Sequence, residues 1–323
     1  MSNYKQLTYE QRCQIEALKR SELSQEAIGL AVGTSQSSIS RELSRNQGER
    51  GYRHRQAQIK ASERRKAAVM VIKMKPQLLQ LINEKLSLYW SPEQISGWLL
   101  EEQDQCISHE SIYRYVWANK KTGGVLHTYL RRRGRRYQWR GSNGKTSRGQ
   151  IKNRVSIDNR PAIVDEKMQV GHWEIDTVIG KGHSGALVTI VERVTKFTLS
   201  CRVLRKSAVH VTAATIALLA PFKAIVRSIT ADNGKEFAYH EQIAENLKCD
   251  VYFAHPYCSW ERGLNENTNG LLRQDFPKRT DFKQVTDSEV RKAVNRLNDR
   301  PRKLLAFKTP AYLMREHLAA LAA

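Results

Sequence analysis

Cysteine is scarce in this sequence, and the few that occur form no pattern. The five, Cys13, Cys106, Cys201, Cys249 and Cys258, are scattered, and none belongs to a C-x-x-C pair. That argues against a zinc finger or a disulfide framework and fits a reducing compartment. Long apolar runs are also missing. No stretch of 18 apolar residues exists, which rules out a transmembrane helix. The N-terminus, MSNYKQLTYEQR, is polar and lacks the apolar core of a secretion signal, so the expected location is the cytoplasm. Acidic residues are in short supply as well. Against 54 Lys and Arg stand 32 Asp and Glu, for a net charge of +22. Between Glu110 and Asp158 there is no acidic residue, while 13 basic ones occur. This excess calls for a polyanionic partner, with nucleic acid favoured over an anionic membrane.

What is present supports folded structure. The 323 residues are 40% apolar and 27% charged, enough for two or three domains with real cores. The basic excess is uneven: residues 1–150 carry 27 basic and 13 acidic side chains, residues 151–323 carry 27 and 19. Its densest part runs from Leu130 to Arg154, LRRRGRRYQWRGSNGKTSRGQIKNR. Rich in Gly, Ser and Arg, it reads as a flexible linker that becomes ordered on a phosphate backbone through Arg131, Arg132, Arg133, Arg135 and Arg136. A solvated loop without a partner is the plainer reading.

The first 60 residues carry a helix-turn-helix pattern. Tyr9, Ile15 and Leu18 lie at near-helical spacing. Ser24 caps a short helix through Ile28 and Ala31, Gly33 ends it, and Ser35 caps a third helix with Ile39 and Leu43 inward. The outward face of that helix offers Gln36, Ser37, Ser40, Arg41 and Arg45, side chains able to reach base edges and phosphates in a major groove. The plainer reading is a helical hairpin with a polar outer face. A second helical unit follows the basic KASERRK stretch, which would join the two. Leu79–Leu88 forms one helix, Ser91 with Pro92 starts another, and Ser108 starts a third. His109 and Arg114 on the third are candidate DNA contacts, unless this unit serves only for packing.

After Pro161 the period changes. His172–Gly180 alternates as a strand, followed by strands at Ala186–Glu192 and Phe197–Leu204, a helix at Ala208–Leu219 and a strand into Asp232-Asn233-Gly234. Another helix, the strand DVYFAHP and the amphipathic GLNENTNGLLRQDF complete an order expected of an α/β ribonuclease H-like domain. Three carboxylates stand out: Asp176 on the first strand, Asp232 at a strand end where α/β proteins place ligands, and Glu266 opening a helix 34 positions later. Each has a bland alternative when taken singly: Asp232 could mark a simple turn and Glu266 a helix surface. A carboxylate in a central strand, as at Asp176, is costly unless paired or metal-bound. Three oxygen donors converging on one pocket suit Mg²⁺ or Mn²⁺.

The text SRELSRN, YWSPEQISGWL, SHESIYRYVW, NRVSIDNRPAIV, WEIDTVIGKGHSGALVTIVER, ADNGKEF and ERGLNENTNGLLRQDFPK resembles the DDE transposases of the insertion-sequence-thirty family. The resemblance spans nearly the whole chain. It implies metal-dependent DNA strand cleavage and strand transfer at terminal inverted repeats, with no covalent protein–DNA intermediate. It also implies Asp176, Asp232 and Glu266 as the catalytic triad, holding two ions. Where the family often has Gly-Asp-Trp-Glu, this chain has Gly171-His172-Trp173-Glu174. Glu174, two residues before Asp176, shares its strand face and either supports the metal site or is a surface glutamate. Arg262, Asn265 and Asn267 flank Glu266 and read as DNA-positioning groups or as helix-capping and solvated residues. Lys181 and His183 lie in the loop after the first catalytic strand and are expected near a DNA end. Arg300–Met314 reads as a terminal helix with a basic lead-in.

The expected organisation is therefore multidomain. An all-α helix-turn-helix domain (1–60) and a second helical DNA-binding module (61–128) precede a basic linker (129–160) and a ribonuclease H-like catalytic domain (161–323). The expected partner is double-stranded DNA, bound by a homodimer or higher homo-oligomer at the bacterial nucleoid. The rival reading is a site-specific DNA-binding regulator with an inactive ribonuclease H-like domain.

Overall fold

The structure, a computed structural model, describes residues 6–67, 74–133, 151–256 and 258–322. It divides into two compact units, Met1–Lys73 and Met74–Ala323.

The first unit is helical. Thr8 starts α1 (Tyr9–Arg20) with a capping box shared with Gln11. The Ser24 hydroxyl accepts from the Ala27 amide and starts α2 (Gln25–Val32). Gly33 closes α2 in the left-handed region, φ 71°, which costs glycine nothing and turns the chain sharply into the Ser35-capped α3 (Gln36–Asn46). Ile15, Ile28, Val32, Ile39 and Leu43 meet in one core with Tyr52 and Ala57. The expected three-helix order is present. A fourth helix, α4 (His54–Ala67), was not expected; the KASERRK stretch lies within it rather than in a connector, and it carries this unit past residue 60. Inside the unit, Arg12 and Glu42 form a buried ion pair at 2.8 Å, and Tyr52 donates to the same carboxylate at 3.0 Å.

The second unit begins with α5 (Pro76–Ser87), α6 (Pro92–Gln103) and α7 (His109–Lys121). Ser91 and Ser108 cap α6 and α7, and Ile82, Leu86, Ile95, Leu99, Ile112 and Val116 form their shared core. A six-stranded sheet follows. Its strands are β1 (Val155–Ser156), β2 (His172–Ile179), β3 (Ala186–Glu192), β4 (Thr198–Val203), β5 (Ser228–Ala231) and β6 (Asp250–Phe253), in the order β1-β6-β5-β2-β3-β4. β2, β3 and β4 pair antiparallel, while β2, β5, β6 and β1 run parallel. The helices are α8 (Ile163–Glu166), α9 (Ala208–Leu219), α10 (His240–Leu247), α11 (Gly263–Leu272), α12 (Asp287–Asn298) and α13 (Pro310–Ala322).

Strand alternation sorts the two faces. Trp173 and Ile175 of β2, with Val188 and Ile190 of β3, pack against Val211 and Leu219 of α9, Ile243 of α10 and Met314 of α13. The opposite face carries Val178 and Leu187, which pack with Leu271 and Leu272 of α11 and Val290 and Leu297 of α12. Glu174 and Asp176 therefore lie on the α11 side. The order of three antiparallel strands, helix, strand, helix, strand, helix matches the expected ribonuclease H-like α/β arrangement.

Two expectations need correction. The stretch expected to be a flexible linker is ordered at both described ends. Arg131 and Arg133 bond to Asn267 and to the Gln274 carbonyl, and Val155–Ser156 adds the edge strand β1 to β6, while Ile151 joins the main core. A two-residue strand leaves no readable alternation, and arginines find carbonyl and amide acceptors that composition does not reveal. Residues 134–150, with Arg135 and Arg136, lie outside the described residues. At the C-terminus the helix starts at Pro310, after a short 3-10 turn at Lys303–Leu305, and not at Arg300. Pro310 explains this, because proline is tolerated in the first helical turn but breaks a helix interior. Before it comes α12, which was not expected although its T-x-x-E capping box, Thr286 with Glu289, is a legible start signal.

Breaking the buried Arg12–Glu42 pair should destabilise the first unit. Arg12→Leu leaves the Glu42 charge uncompensated, at a cost of about 3–5 kcal/mol. The double variant Arg12→Leu/Glu42→Leu should recover much of that loss. Urea unfolding of the two variants checks this; equal destabilisation would refute it.

Candidate active site

β2 and β5 are parallel neighbours with Glu174 opposite Thr230. Extending that register by two residues brings Asp176 beside Asp232. Asp232 lies just beyond β5, and its Oδ1 accepts from the Gly234 amide at 2.8 Å. The turn and the site at Asp232-Asn233-Gly234 are thus one feature: the tight turn fixes the carboxylate. Arg262 spans the pair, with Nη1 3.6 Å from Asp176 Oδ1 and Nη2 3.6 Å from Asp232 Oδ2. Burial pushes the Asp176 carboxyl upward in pKa; Arg262 opposes that rise and Asp232 adds to it.

Other groups hold Asp176 in place. Its Oδ1 accepts from the Thr177 amide at 2.8 Å and its Oδ2 from Asn269 Nδ2 at 2.9 Å. Asn269 Oδ1 in turn accepts from Thr189 Oγ1 at 2.9 Å, across the β2–β3 pair where Asp176 and Thr189 are in register. Asn269 is three residues after Glu266, so both project from one stripe of α11. Glu266 itself is exposed in the first turn of α11. The structure thus brings Asp176 and Asp232 together through Arg262 and sets Glu266 on the helix stripe that touches Asp176. Among the described residues no three His, Cys, Asp or Glu side chains close around a single point. The donor chemistry nevertheless fits a divalent cation: Asp176 and Asp232 are hard oxygen ligands that already share one cationic group.

Glu174 is a buried brace and not a surface glutamate. Its Oε1 pairs with Arg193 at 2.7 Å, and its Oε2 accepts from the Asn265 amide at 3.1 Å. An acid at that place satisfies a free donor at the start of α11 and favours the helix dipole. Burial raises its pKa, and Arg193 opposes the rise. Arg193 also pairs with Asp165, which Arg160 contacts as well.

The remaining expected site residues are placed as follows. Asn265 is fully buried, so its side chain does not face DNA; the expectation fails because its position falls on the inward stripe with Thr268 and Leu272. Asn267 is exposed and bonded to Arg131, and Lys181 is exposed in the short turn Lys181–His183 after β2. Gln36, Ser37, Arg41 and Arg45 are exposed on α3, and Ser40 is partly so. Arg41 folds back on Ser37, donating to its carbonyl and hydroxyl. His109 and Arg114 are exposed on α7.

Sequence reading missed Asn269 and Glu236. Both stand in quoted motifs, NENTNG and ADNGKEF, and their nearness to the acids was the available signal. Glu236 is buried, accepts from Thr177 Oγ1 at 3.1 Å and pairs with Lys206 at 2.7 Å. His172, which stands where the family often has an acid, is buried between Ser228 and Gln169. Burial and then Arg227, Arg193 and Arg160 lower its pKa.

Carboxylates at the centre of such a sheet, facing a helix that carries a further acid, define an integrase-type ribonuclease H-like enzyme acting on nucleic acid strands. Residues 166–259 match the integrase core domain family and residues 3–46 a helix-turn-helix domain family. The first match spans Asp176 and Asp232 and ends before Glu266. The chain is 44% identical to the transposase for insertion sequence element IS4351 of Bacteroides fragilis, over 95% of this chain and 94% of that protein. It is 36% identical to transposase InsI for element IS30A of Escherichia coli, covering 97% and 84%. It is 35% identical to the transposase for element IS1086 of Cupriavidus metallidurans, covering 98% and 96%. The chain belongs to the IS30 family of insertion-sequence transposases.

His172 generates a pH prediction. Its folded pKa lies below the unfolded one, so the unfolded state takes up a proton first as pH falls. The resulting stabilisation is fully present above pH ~6.5 and is lost as pH falls through that region. Melting temperature should fall between pH 7 and 5.5, and less steeply in His172→Asn, which keeps a polar group beside Ser228. Parallel slopes for the two proteins would contradict this.

Proposed function

We propose that this transposase binds the terminal inverted repeats of its own element and catalyses strand cleavage and strand transfer with Asp176, Asp232 and Glu266. The observation that carries the residue assignment is the Asp176–Arg262–Asp232 bridge, two carboxylates held side by side by a cationic group. Bound there, two divalent cations, Mg²⁺ or Mn²⁺, would activate the attacking water or 3′-hydroxyl and stabilise the leaving oxygen. Asp176 and Asp232 supply ligand oxygens from fixed strand positions. Asn269 keeps Asp176 oriented. Glu266 supplies the third carboxylate from α11, whose start Glu174 holds through the Asn265 amide. Arg262, released from the pair, turns its guanidinium to the DNA phosphate, for which its planar donor fork is suited.

The helix-turn-helix region reads the repeat. Gln36, Ser37, Ser40, Arg41 and Arg45 meet the major groove and its phosphates. In the second helical region His109 and Arg114 contact flanking duplex. Arg131, Arg132, Arg133, Arg135 and Arg136, together with Lys181 and Asn267, follow the backbone toward the catalytic region at 161–323. Joining two element ends needs two copies, so the active form is a homodimer or a higher homo-oligomer. The work takes place in the bacterial cytoplasm, at the nucleoid. No described helix is long and apolar enough to cross a membrane.

The test is incubation of the purified protein with labelled DNA from its own element's ends, with and without Mg²⁺. Asp176→Asn, Asp232→Asn and Glu266→Gln should each abolish cleavage and joining while leaving end binding intact in Ca²⁺. An amide keeps the shape and loses the charge that offsets two divalent ions. The three effects should be non-additive, because the groups act as a unit. Cleavage retained by one variant would remove that residue from the site, and a wild-type protein that binds ends without cutting them would favour the regulator reading.

Arg41→Ala should weaken binding to the repeat. Loss of a phosphate contact lowers the salt slope by about 1, and loss of a base contact costs roughly 1–3 kcal/mol and relaxes sequence preference. Titration at several salt concentrations separates the two, and an unchanged footprint and affinity would move the reading surface elsewhere.

A further inference from the structure

A second cavity, distinct from the carboxylate site, lies within the Met74–Ala323 unit. It is about 650 Å³ in volume and runs between the α6–α7 region and α11. That size lies within the roughly 300–1,000 Å³ range of small-molecule sites. Tyr89, Trp90, Tyr113, Trp117 and Tyr129 contribute aromatic rings to its wall. Tyr113 and Trp117 are 37% and 38% exposed, one helical turn apart on α7.

The rest of the wall is strongly basic. Arg300 is 1% exposed, yet its Nε and Nη2 have no hydrogen-bond partner among the described residues. Its Nη1 is spent on Gln274 at 3.0 Å. Arg302 Nε is likewise buried without a partner. Burial pushes both guanidinium groups down to about 10, and Arg302 adds to the effect on Arg300. Buried guanidinium donors left unspent are costly, and the natural acceptor for such a pair is a phosphate. Arg131 lies against α11: it bonds to Asn267, and a Cβ at Gly270 would stand 2.6 Å from its Nη2. The glycine thus lets an arginine lie close on the helix that carries Glu266. Asn267 and Leu271, on a neighbouring stripe of α11, and Gln274, in the turn just past its end, line the same cavity.

We propose that this cavity binds an unpaired nucleotide of the DNA substrate, its base stacked on the Tyr113 and Trp117 rings and its phosphate on Arg300 and Arg302. This rests on the reading of the protein as a DNA strand transferase and adds a subsite for a nucleotide outside the duplex. Flat rings accept any base face, and arginines beside them accept the backbone, the combination by which single strands are held. Because α11 carries both Glu266 and part of this wall, a nucleotide seated here ties the strand to the catalytic helix.

The test uses the full chain and two probes: a blunt duplex of the element's end, and the same duplex with a three-nucleotide single-stranded tail containing 2-aminopurine, made on either strand. The tailed duplex should bind about tenfold tighter, with quenched 2-aminopurine fluorescence. Trp117→Ala and Tyr113→Ala should lose the preference and the quenching while binding blunt duplex as the wild type does. Trp117→Phe, which keeps a ring, should restore both. Equal wild-type affinity for the two probes, or a preference that survives both alanine variants, overturns the pocket and leaves the transposase reading intact. Loss of blunt binding in Trp117→Ala with recovery in Trp117→Phe makes the face a duplex reader, which also overturns it. A wild-type protein that binds neither probe overturns both readings.

Discussion

Everything around the catalytic sheet answers to one constraint: β2 places two carboxylates, Glu174 and Asp176, on the face that packs against α11. Unpaired charges there would oppose folding. Each is compensated differently. Glu174 is closed off completely by Arg193 and the Asn265 amide. Asp176 is only steadied, by Thr177, Asn269 and the longer contact to Arg262. The first is thereby a buried structural brace, and the second stays partly exposed. Two acids two residues apart on one strand acquire different surroundings from their partners.

The same division runs through the arginines. Arg12, Arg160 and Arg193 have carboxylate partners and act as struts. Arg262 bridges Asp176 and Asp232, 3.6 Å from each. Arg300 and Arg302 have buried donors still unspent. The net charge of +22 thus combines cations paired within the fold and cations with buried donors that no described residue satisfies. The long-range field gathers DNA, and the local geometry decides where its phosphates come to rest.

The cavity beside α11 and the carboxylate site share one helix, with separate stripes facing each. Asn265 and Thr268 turn inward, Asn269 reaches Asp176, and Asn267 with Leu271 borders the cavity. Rotation or displacement of α11 would affect both places together. Glu174 is the contact that anchors its start.

Much of this was legible in the sequence because it depends on short spans. The caps at Thr8, Ser24, Ser35, Ser91 and Ser108 are local hydrogen bonds, so they mark helix starts wherever they occur. Alternation in β2 and β3 identified strands and put Glu174 on the face of Asp176. The acids and the basic excess pointed to metal-assisted chemistry on DNA. Tertiary structure alone decided the rest. The two-residue strand β1 exists only because β6 offers it an edge. Asn265 turned out buried although its neighbours Glu266 and Asn267 are exposed, since the rotation of α11 is set by packing against β2 and β3. Arg262 came to lie between Asp176 and Asp232, and Arg131 on Gly270. Such contacts join residues dozens of positions apart, and pairing of strands and seating of helices fix them, which no local periodicity encodes.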